Sequence, residues 1–342
     1  MSSLFIPKTV YIEKEALDYK LGKDLQKQFL DKGIPVEILE SNRVNFLRGK
    51  TPQEKYEIGK RVLVIGVRRT LEFQSCKPSA HYQLPLVTGC IGKCEYCYLN
   101  TNLKDKPFTR IYVNEEDILK KAKRYIQTKK FVPTIFEGSA TSDPVPVEPY
   151  THALERAIEF FAKEPDGRFR FVTKFTDIDN LLFLKHNGHT EMRFSINTDT
   201  VIQSFEHSTP RAKQRIEAAR KAIKAGYPVG FLIAPVFVYP HWKEDYLMLI
   251  KMLKDYLPNE EIKYPITFEI ISHRYTKTAK NHILQIFEET QLPMDDEQRT
   301  YKYGQFGYGK YVYSKETIAE IKELFEFGLS HLEIPYQIKY II

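Results

Sequence analysis

Three of the chain's four cysteines fall within eight residues, in Cys90-Ile91-Gly92-Lys93-Cys94-Glu95-Tyr96-Cys97-Tyr98, at the spacing C-x3-C-x2-C. Thiolates are soft ligands that favour zinc, copper(I) or iron–sulfur centres. Three of them are one short of a closed four-coordinate structural site. On a four-iron cluster they leave one iron open, where a small molecule can coordinate. Two other uses of the same residues stay open at this level. His81 or Cys76 could complete a zinc site, although zinc sites usually draw on paired Cys-x-x-Cys or Cys/His sets. A disulfide is the other, but three clustered cysteines plus one distant one make no disulfide framework. Nothing at the N-terminus reads as a secretory signal.

The loop has to be carried by a scaffold, and the pattern from Tyr82 onward supplies one. Apolar runs at Tyr82 to Val87, Val132 to Phe136, Phe169 to Thr173, Glu191 to Ile196, Val229 to Val236 and Ile266 to Ile271 read as strands. Helical stretches separate them: Glu115 to about Lys129 behind an Asn114 cap, Tyr150 to Ala162, a short one near Asp179 to Lys185, one from Thr209-Pro210 to Gly226, Trp242 to Tyr256, and Lys277 to Phe287. Six strand–helix units in a row argue for a parallel sheet with helices outside it. The fold class is therefore α/β. Ahead of this region, residues 1–80 read as a small α/β extension, with strands at Val10 to Ile12, Ile34 to Leu39 and Val62 to Val67. Leu17, Leu21, Leu25 and Phe29 give a helix one apolar face, and Gly33 suits the turn after it. Asn42 to Tyr56 is polar, with Arg43 and Arg48. The organisation expected is residues 1–80, 81–290 and 291–342.

In a parallel sheet covered by helices the residues that act lie at the C-terminal ends of strands. That rule singles out Glu137 to Asp143 after the second strand, Lys174 after the third, Ser195 and Asn197 at the fourth, Ala234-Pro235 at the fifth, and Ser272, His273 and Arg274 at the sixth.

The chain has 342 residues, 42% hydrophobic and 28% charged, as in globular domains. No apolar run approaches the roughly 18 residues that span a bilayer, so no membrane partner is expected. Few cysteines point to a reducing cytoplasm. A net charge of +7 leans toward a polyanion. Tyr301-Lys302-Tyr303 to Lys310-Tyr311-Val312-Tyr313 alternates aromatic and basic residues around glycines and reads as a β-hairpin. Its rings could stack on bases, and Lys302, Tyr303 and Lys310 could meet DNA. A last amphipathic helix follows, capped at Ser314 and running to about Leu329.

The cysteine loop resembles the cluster loop of the radical S-adenosylmethionine superfamily. Taken with the Glu137-Gly-Ser-Ala-Thr-Ser-Asp143 segment and the tyrosine-rich stretch, the whole chain resembles the spore photoproduct lyase family. The resemblance implies a partial (β/α)6 TIM-like barrel with an N-terminal extension and a C-terminal hairpin plus helix. It implies a [4Fe-4S] cluster on Cys90, Cys94 and Cys97, and S-adenosylmethionine bound among Tyr96, Ser142, Lys174, Ser195, Asn197 and Ala234. The implied reaction is DNA repair in the spore core. A 5′-deoxyadenosyl radical reverts 5-thyminyl-5,6-dihydrothymine in double-stranded DNA to two thymines, with a cellular electron donor and a monomeric enzyme. Tyr98 would lie near the lesion and serve the radical relay, and Tyr96, counted with it among the catalytic residues, would pack on the cofactor. Asp143, His273 and Arg274 would face cofactor and lesion. The family's hydrogen-donor cysteine falls at position 140, where this chain has Ala140. An inactivated donor variant is expected, or a form with another donor. A different radical enzyme acting on nucleic acid, or a zinc-bearing binding module, are the alternatives.

Overall fold

The computed structural model describes residues 5–40, 49–104, 106–258, 261–303 and 309–342. Arg43, Arg48 and the tip of the tyrosine-rich hairpin lie outside the described residues. The chain divides into two compact units, Met1–Ile91 with Leu103–Glu191, and Gly92–Asn102 with Met192–Ile342.

The first unit carries two sets of strands. One is the sheet β2-β1-β3-β7-β6, built from β1 (Thr9–Glu13), β2 (Val36–Leu39), β3 (Val62–Gly66), β6 (Val87–Thr88) and β7 (Thr109–Tyr112). All its pairs are parallel except β6 with β7. Every residue of β3 is buried, as expected of a strand covered on both faces. The other set runs β4 (Ser75–Cys76), β5 (Ala80–Gln83), β8 (Thr134–Glu137) and β9 (Gly167–Thr173), with the last three parallel. Helices α1 (Lys20–Asp31), α2 (Pro52–Gly59), α3 (Glu115–Gln127) and α4 (Ala153–Ala162) belong to the unit.

In the second unit β10 (Thr190–Ile196), β11 (Val229–Val236), β12 (Ile266–Ser272) and β15 (Tyr336–Ile341) lie side by side in parallel. Helices α5 (Asp199–Phe205), α6 (Ala212–Lys224), α7 (Trp242–Tyr256), α8 (Lys277–Ile286) and α9 (Lys315–Ser330) belong to it. So does the antiparallel hairpin β13 (Thr300–Tyr303) with β14 (Gly309–Val312). A two-residue ribbon pairs Lys93–Cys94 antiparallel with Glu206–His207.

All six expected barrel strands are strands, and three local expectations change. The run from Tyr82 to Val87 is broken: β5 ends at Gln83, and Val87 pairs with Ile111 in the five-stranded sheet. Thr209-Pro210 does not start α6. Thr209 Oγ1 instead donates to the Glu206 carbonyl, and the helix begins at Ala212. Asn114 precedes α3 but makes no backbone cap. Its side-chain amide exchanges two hydrogen bonds with the Arg68 backbone, because a long-range partner satisfies it better than the local turn. The pattern reading also missed α2, β7, α5 and β15. Each is short or flanked by polar residues, so periodicity has little to count.

Candidate active site

In the first unit the approach to the cysteine loop is a tight backbone contact. Gly89 has φ +86, and a Cβ there would meet the Phe108 carbonyl oxygen at 2.3 Å. Only glycine fits both constraints. Its N–H donates to the Thr141 carbonyl at 2.9 Å, and it forms a bridge with Ser142. The residue just before Cys90 is thereby tied to the segment after β8. The Cys90 carbonyl accepts from the Lys60 ammonium at 2.7 Å.

The segment after β8 is ordered by buried carboxylates. Glu137 accepts from the Ser139 hydroxyl at 2.7 Å and from the Ser79 hydroxyl at 2.9 Å. Ser139 Oγ in turn accepts from Val172 N. Asp143 accepts from the Lys174 backbone N–H at 2.9 Å and from Thr173 Oγ1 at 2.8 Å. Burial pushes its carboxyl up to about 6, against the opposing pull of those donors. Ser142 is buried, and its Oγ has no hydrogen-bond partner among the described residues. A buried hydroxyl left unsatisfied is costly unless a ligand meets it. Ala140 and Lys174 are half-buried.

In the second unit Cys94 is buried and Cys97 half-buried, and neither is in a disulfide. Cys97 N donates to the Cys94 carbonyl, which Asn100 Nδ2 also reaches at 3.1 Å. The Tyr96 hydroxyl donates to the Glu206 carboxylate. Glu206 is paired with Arg215 at 2.6 Å, with both side chains 0% exposed. Arg215 also donates to the Ser195 carbonyl at 2.9 Å, to the Pro210 carbonyl and to Thr209 Oγ1. Burial and the Glu206 charge push the Tyr96 phenol well above its ordinary range. Next to Tyr96, Glu95 pairs with His207 at 2.7 Å and accepts from Thr290 Oγ1. Tyr98 is 54% exposed.

The strand ends of this unit are equally fixed. Asn197 Nδ2 donates to the Pro235 carbonyl at 2.8 Å, and its Oδ1 accepts from the Tyr246 hydroxyl. The Ala234–Pro235 bond is cis. His273 is buried under the Phe237 ring, 4.5 Å between centroids, and burial holds its imidazole well below the usual range. Arg299 donates to the His273 carbonyl at 3.0 Å and stacks 3.5 Å from the Tyr313 ring centroid. Arg274 is exposed. On the hairpin, Lys302 lies directly across from Lys310, and Tyr303 is 73% exposed.

The three cysteines are chemically suited to an iron–sulfur cluster: none is cross-linked, and the backbone carbonyls of Cys90 and Cys94 are already engaged by protein donors. Ser142 suits the edge of a polar small molecule. The zinc alternative loses its histidine, since His81 stacks on Phe131 and accepts from Ile135 N. Lys60, Glu206, Arg215, His207 and Arg299 were not legible as site residues. Each acts across a gap of 26 or more residues, except for the nine that separate Glu206 from Arg215.

The family profile described as "Spore photoproduct lyase" matches residues 5–342. The spore photoproduct lyase of Clostridium acetobutylicum is 50% identical over 342 residues, covering 100% of both chains. Among solved structures, a spore photoproduct lyase complexed with dinucleoside spore photoproduct superposes with a TM-score of 0.95 at 43% identity, covering 99% of each chain. A double mutant of spore photoproduct lyase with bound AdoMet and dinucleoside spore photoproduct gives 0.94 at 43% identity, again over 99% of each chain. The mixed α/β fold is that of those structures, and its parallel strands are consistent with a partial barrel. A cysteine loop braced by a buried ion pair and a likeness that runs from end to end lead to one conclusion: the chain belongs to the spore photoproduct lyase family.

Proposed function

We propose that this protein is a radical S-adenosylmethionine lyase that reverts the spore photoproduct in double-stranded DNA to two thymines. The observation that carries the reading is the bridge from Gly89 to Ser142, which joins the start of the cysteine loop to a segment whose buried Ser142 hydroxyl has no hydrogen-bond partner among the described residues. Cys90, Cys94 and Cys97 would hold a [4Fe-4S] cluster, with S-adenosylmethionine among Tyr96, Ser142, Lys174, Ser195, Asn197 and Ala234. When bound, these groups supply the 5′-deoxyadenosyl radical that takes a hydrogen atom from the dihydrothymine ring.

The chain's own residues do the rest. Asp143 orients the Lys174 backbone, and Glu206 orients the Tyr96 ring. Tyr98, exposed beside the third cysteine, is available to the radical relay. Arg274, exposed at the end of β12, is available to a lesion, while His273 beside it is buried against Phe237. Residues 291–342 present the hairpin to DNA, where Lys302 opposite Lys310 is a like-charge pair that a phosphate would relieve. The protein works as a monomer in the cytoplasm of the spore core and draws its electron from a cellular donor.

Ala140 has no S–H bond to give to the product radical, so the final quench is slow or misdirected unless another thiol serves. Cys76 is the candidate for that thiol. It is the remaining cysteine, and Ser79 of the same turn is bonded to Glu137 on the strand that leads to Ala140. The test is anaerobic reconstitution with dithionite, S-adenosylmethionine and a synthetic spore-photoproduct dinucleotide, with products separated by chromatography. Lesion consumption supports the lyase. Cofactor cleavage with the lesion untouched overturns the substrate. Ala140→Cys should raise the clean thymine yield, and Cys76→Ser should lower it if Cys76 is the donor.

A further inference from the structure

Lys60 is the most unusual cation in the first unit. It follows the last residue of α2, Gly59, and is 7% exposed, a degree of burial that lysines rarely reach. Its Nζ lies 2.7 Å from the Cys90 carbonyl oxygen and 5.1 Å from the centroid of the buried Tyr56 ring. A carbonyl and an aromatic face both attract a cation, and together they hold the ammonium at this point. The result is a positive charge hydrogen-bonded to the backbone of a residue proposed to ligate iron.

We propose that Lys60 tunes the reduction potential of the cluster ligated by Cys90. The one-electron reduction from [4Fe-4S]2+ to [4Fe-4S]1+ takes its electron from a low-potential reductant and adds one negative charge. Three thiolates already make the assembly anionic, so an ammonium held in a low-dielectric pocket favours the reduced form. The hydrogen bond to the Cys90 carbonyl has a second effect, since it fixes the backbone from which the thiolate projects. Charge and positioning can be separated by substitution. Lys60→Gln is a neutral donor aimed at the same carbonyl, Lys60→Met removes donor and charge, and Lys60→Arg keeps both. This inference rests on the cluster reading above.

The protein and the three variants would be reconstituted anaerobically, assayed for iron and sulfide, and titrated by EPR against a low-potential mediator series. Expected is a lower midpoint in the Gln and Met forms, with the reduced-to-oxidised ratio at a fixed potential falling about tenfold, which is about 59 mV for one electron. The Arg form should match the parent. Full iron content with an unchanged midpoint in both neutral forms overturns the proposal. So does loss of the cluster from both neutral forms while the Arg form holds it, which would make Lys60 an assembly residue only. A parent that takes up zinc and no iron overturns the cluster itself, and the role of Lys60 with it.

Discussion

Two stretches of the second unit are built on opposite principles. The Cys94–Cys97 turn is short and made of residues that prefer loops, yet its side chains are held by specific side-chain partners, one set of them fully buried. Tyr96 donates to Glu206, Glu206 is paired with Arg215, and Glu95 is paired with His207. The β13–β14 hairpin is regular secondary structure with far fewer supports. Its inner strand is tied to the core through Tyr311, which exchanges two backbone hydrogen bonds with Tyr275. Its outer strand is exposed throughout. Regularity therefore says little about rigidity here. The irregular turn is fixed because chemistry on a cluster tolerates little misplacement. The regular hairpin leaves its outer strand exposed at the surface.

The contrast is broken most severely at Arg215. Its guanidinium is fully buried and compensates the fully buried Glu206. Removing one member of such a pair leaves an uncompensated charge, at a cost of about 3–5 kcal/mol. Arg215→Met should lose about that much stability in urea unfolding. Any folded fraction should hold less iron, because Tyr96 loses its fixed acceptor. The double change Arg215→Met with Glu206→Leu should recover much of the stability, since a well-packed apolar pair can match a buried ion pair. It should not recover iron content. Full recovery of both would mean that the pair merely fills space.

Asp143 gives a middle-sized effect with a defined pH dependence. Its folded-state value of about 6 stands above the ordinary aspartate value near 3.9. The folded state therefore binds the proton more tightly than the unfolded state. The stability that this contributes is fully present below about pH 4 and is lost as pH rises through about 6. Asp143→Asn removes the titration. Relative to the parent it should gain about 2–3 kcal/mol between pH 4 and pH 7. Chemical denaturation at both pH values measures the difference, and parallel pH profiles would show that Asp143 stays ionised throughout.

The scaffold was legible in the sequence because long parallel strands leave a strong mark. Val229–Val236 and Trp242–Tyr256 were read to the residue, since continuous apolar runs and clear amphipathic turns leave little choice. Ser314 was legible as a cap, and its Oγ accepts from Thr317 N. The cysteine loop was legible from spacing alone. What holds the loop was not. Glu206 and His207 form a two-residue strand, too short for any periodicity, and their partners in the cysteine loop lie more than 100 residues away. Lys60 looked like one more surface lysine, because a sequence shows charge and hides burial. Thr209-Pro210 misled for the same reason: a sound local start signal gave way to a bond with Glu206 that only the folded chain supplies.

The smallest effect on stability should come from the hairpin, where it separates recognition from architecture. Lys302→Ala with Lys310→Ala removes two like charges that face each other across the ribbon, so the fold should lose nothing beyond about 0.5 kcal/mol. The same double change should weaken binding to duplex DNA. Each phosphate left without its lysine should reduce the steepness of log affinity against log salt by roughly 0.9. Two such phosphates would lower it by about 1.8, read from fluorescence anisotropy at several salt concentrations. Tyr303→Ala should act differently. A stacking ring carries no charge, so the slope should hold while affinity for lesion-bearing DNA falls, by about 1–3 kcal/mol if the ring stacks on a base. An unchanged slope in the lysine pair, with affinity intact, would make the hairpin a cover for the core, and the exposure of its outer strand would then have no partner to explain it.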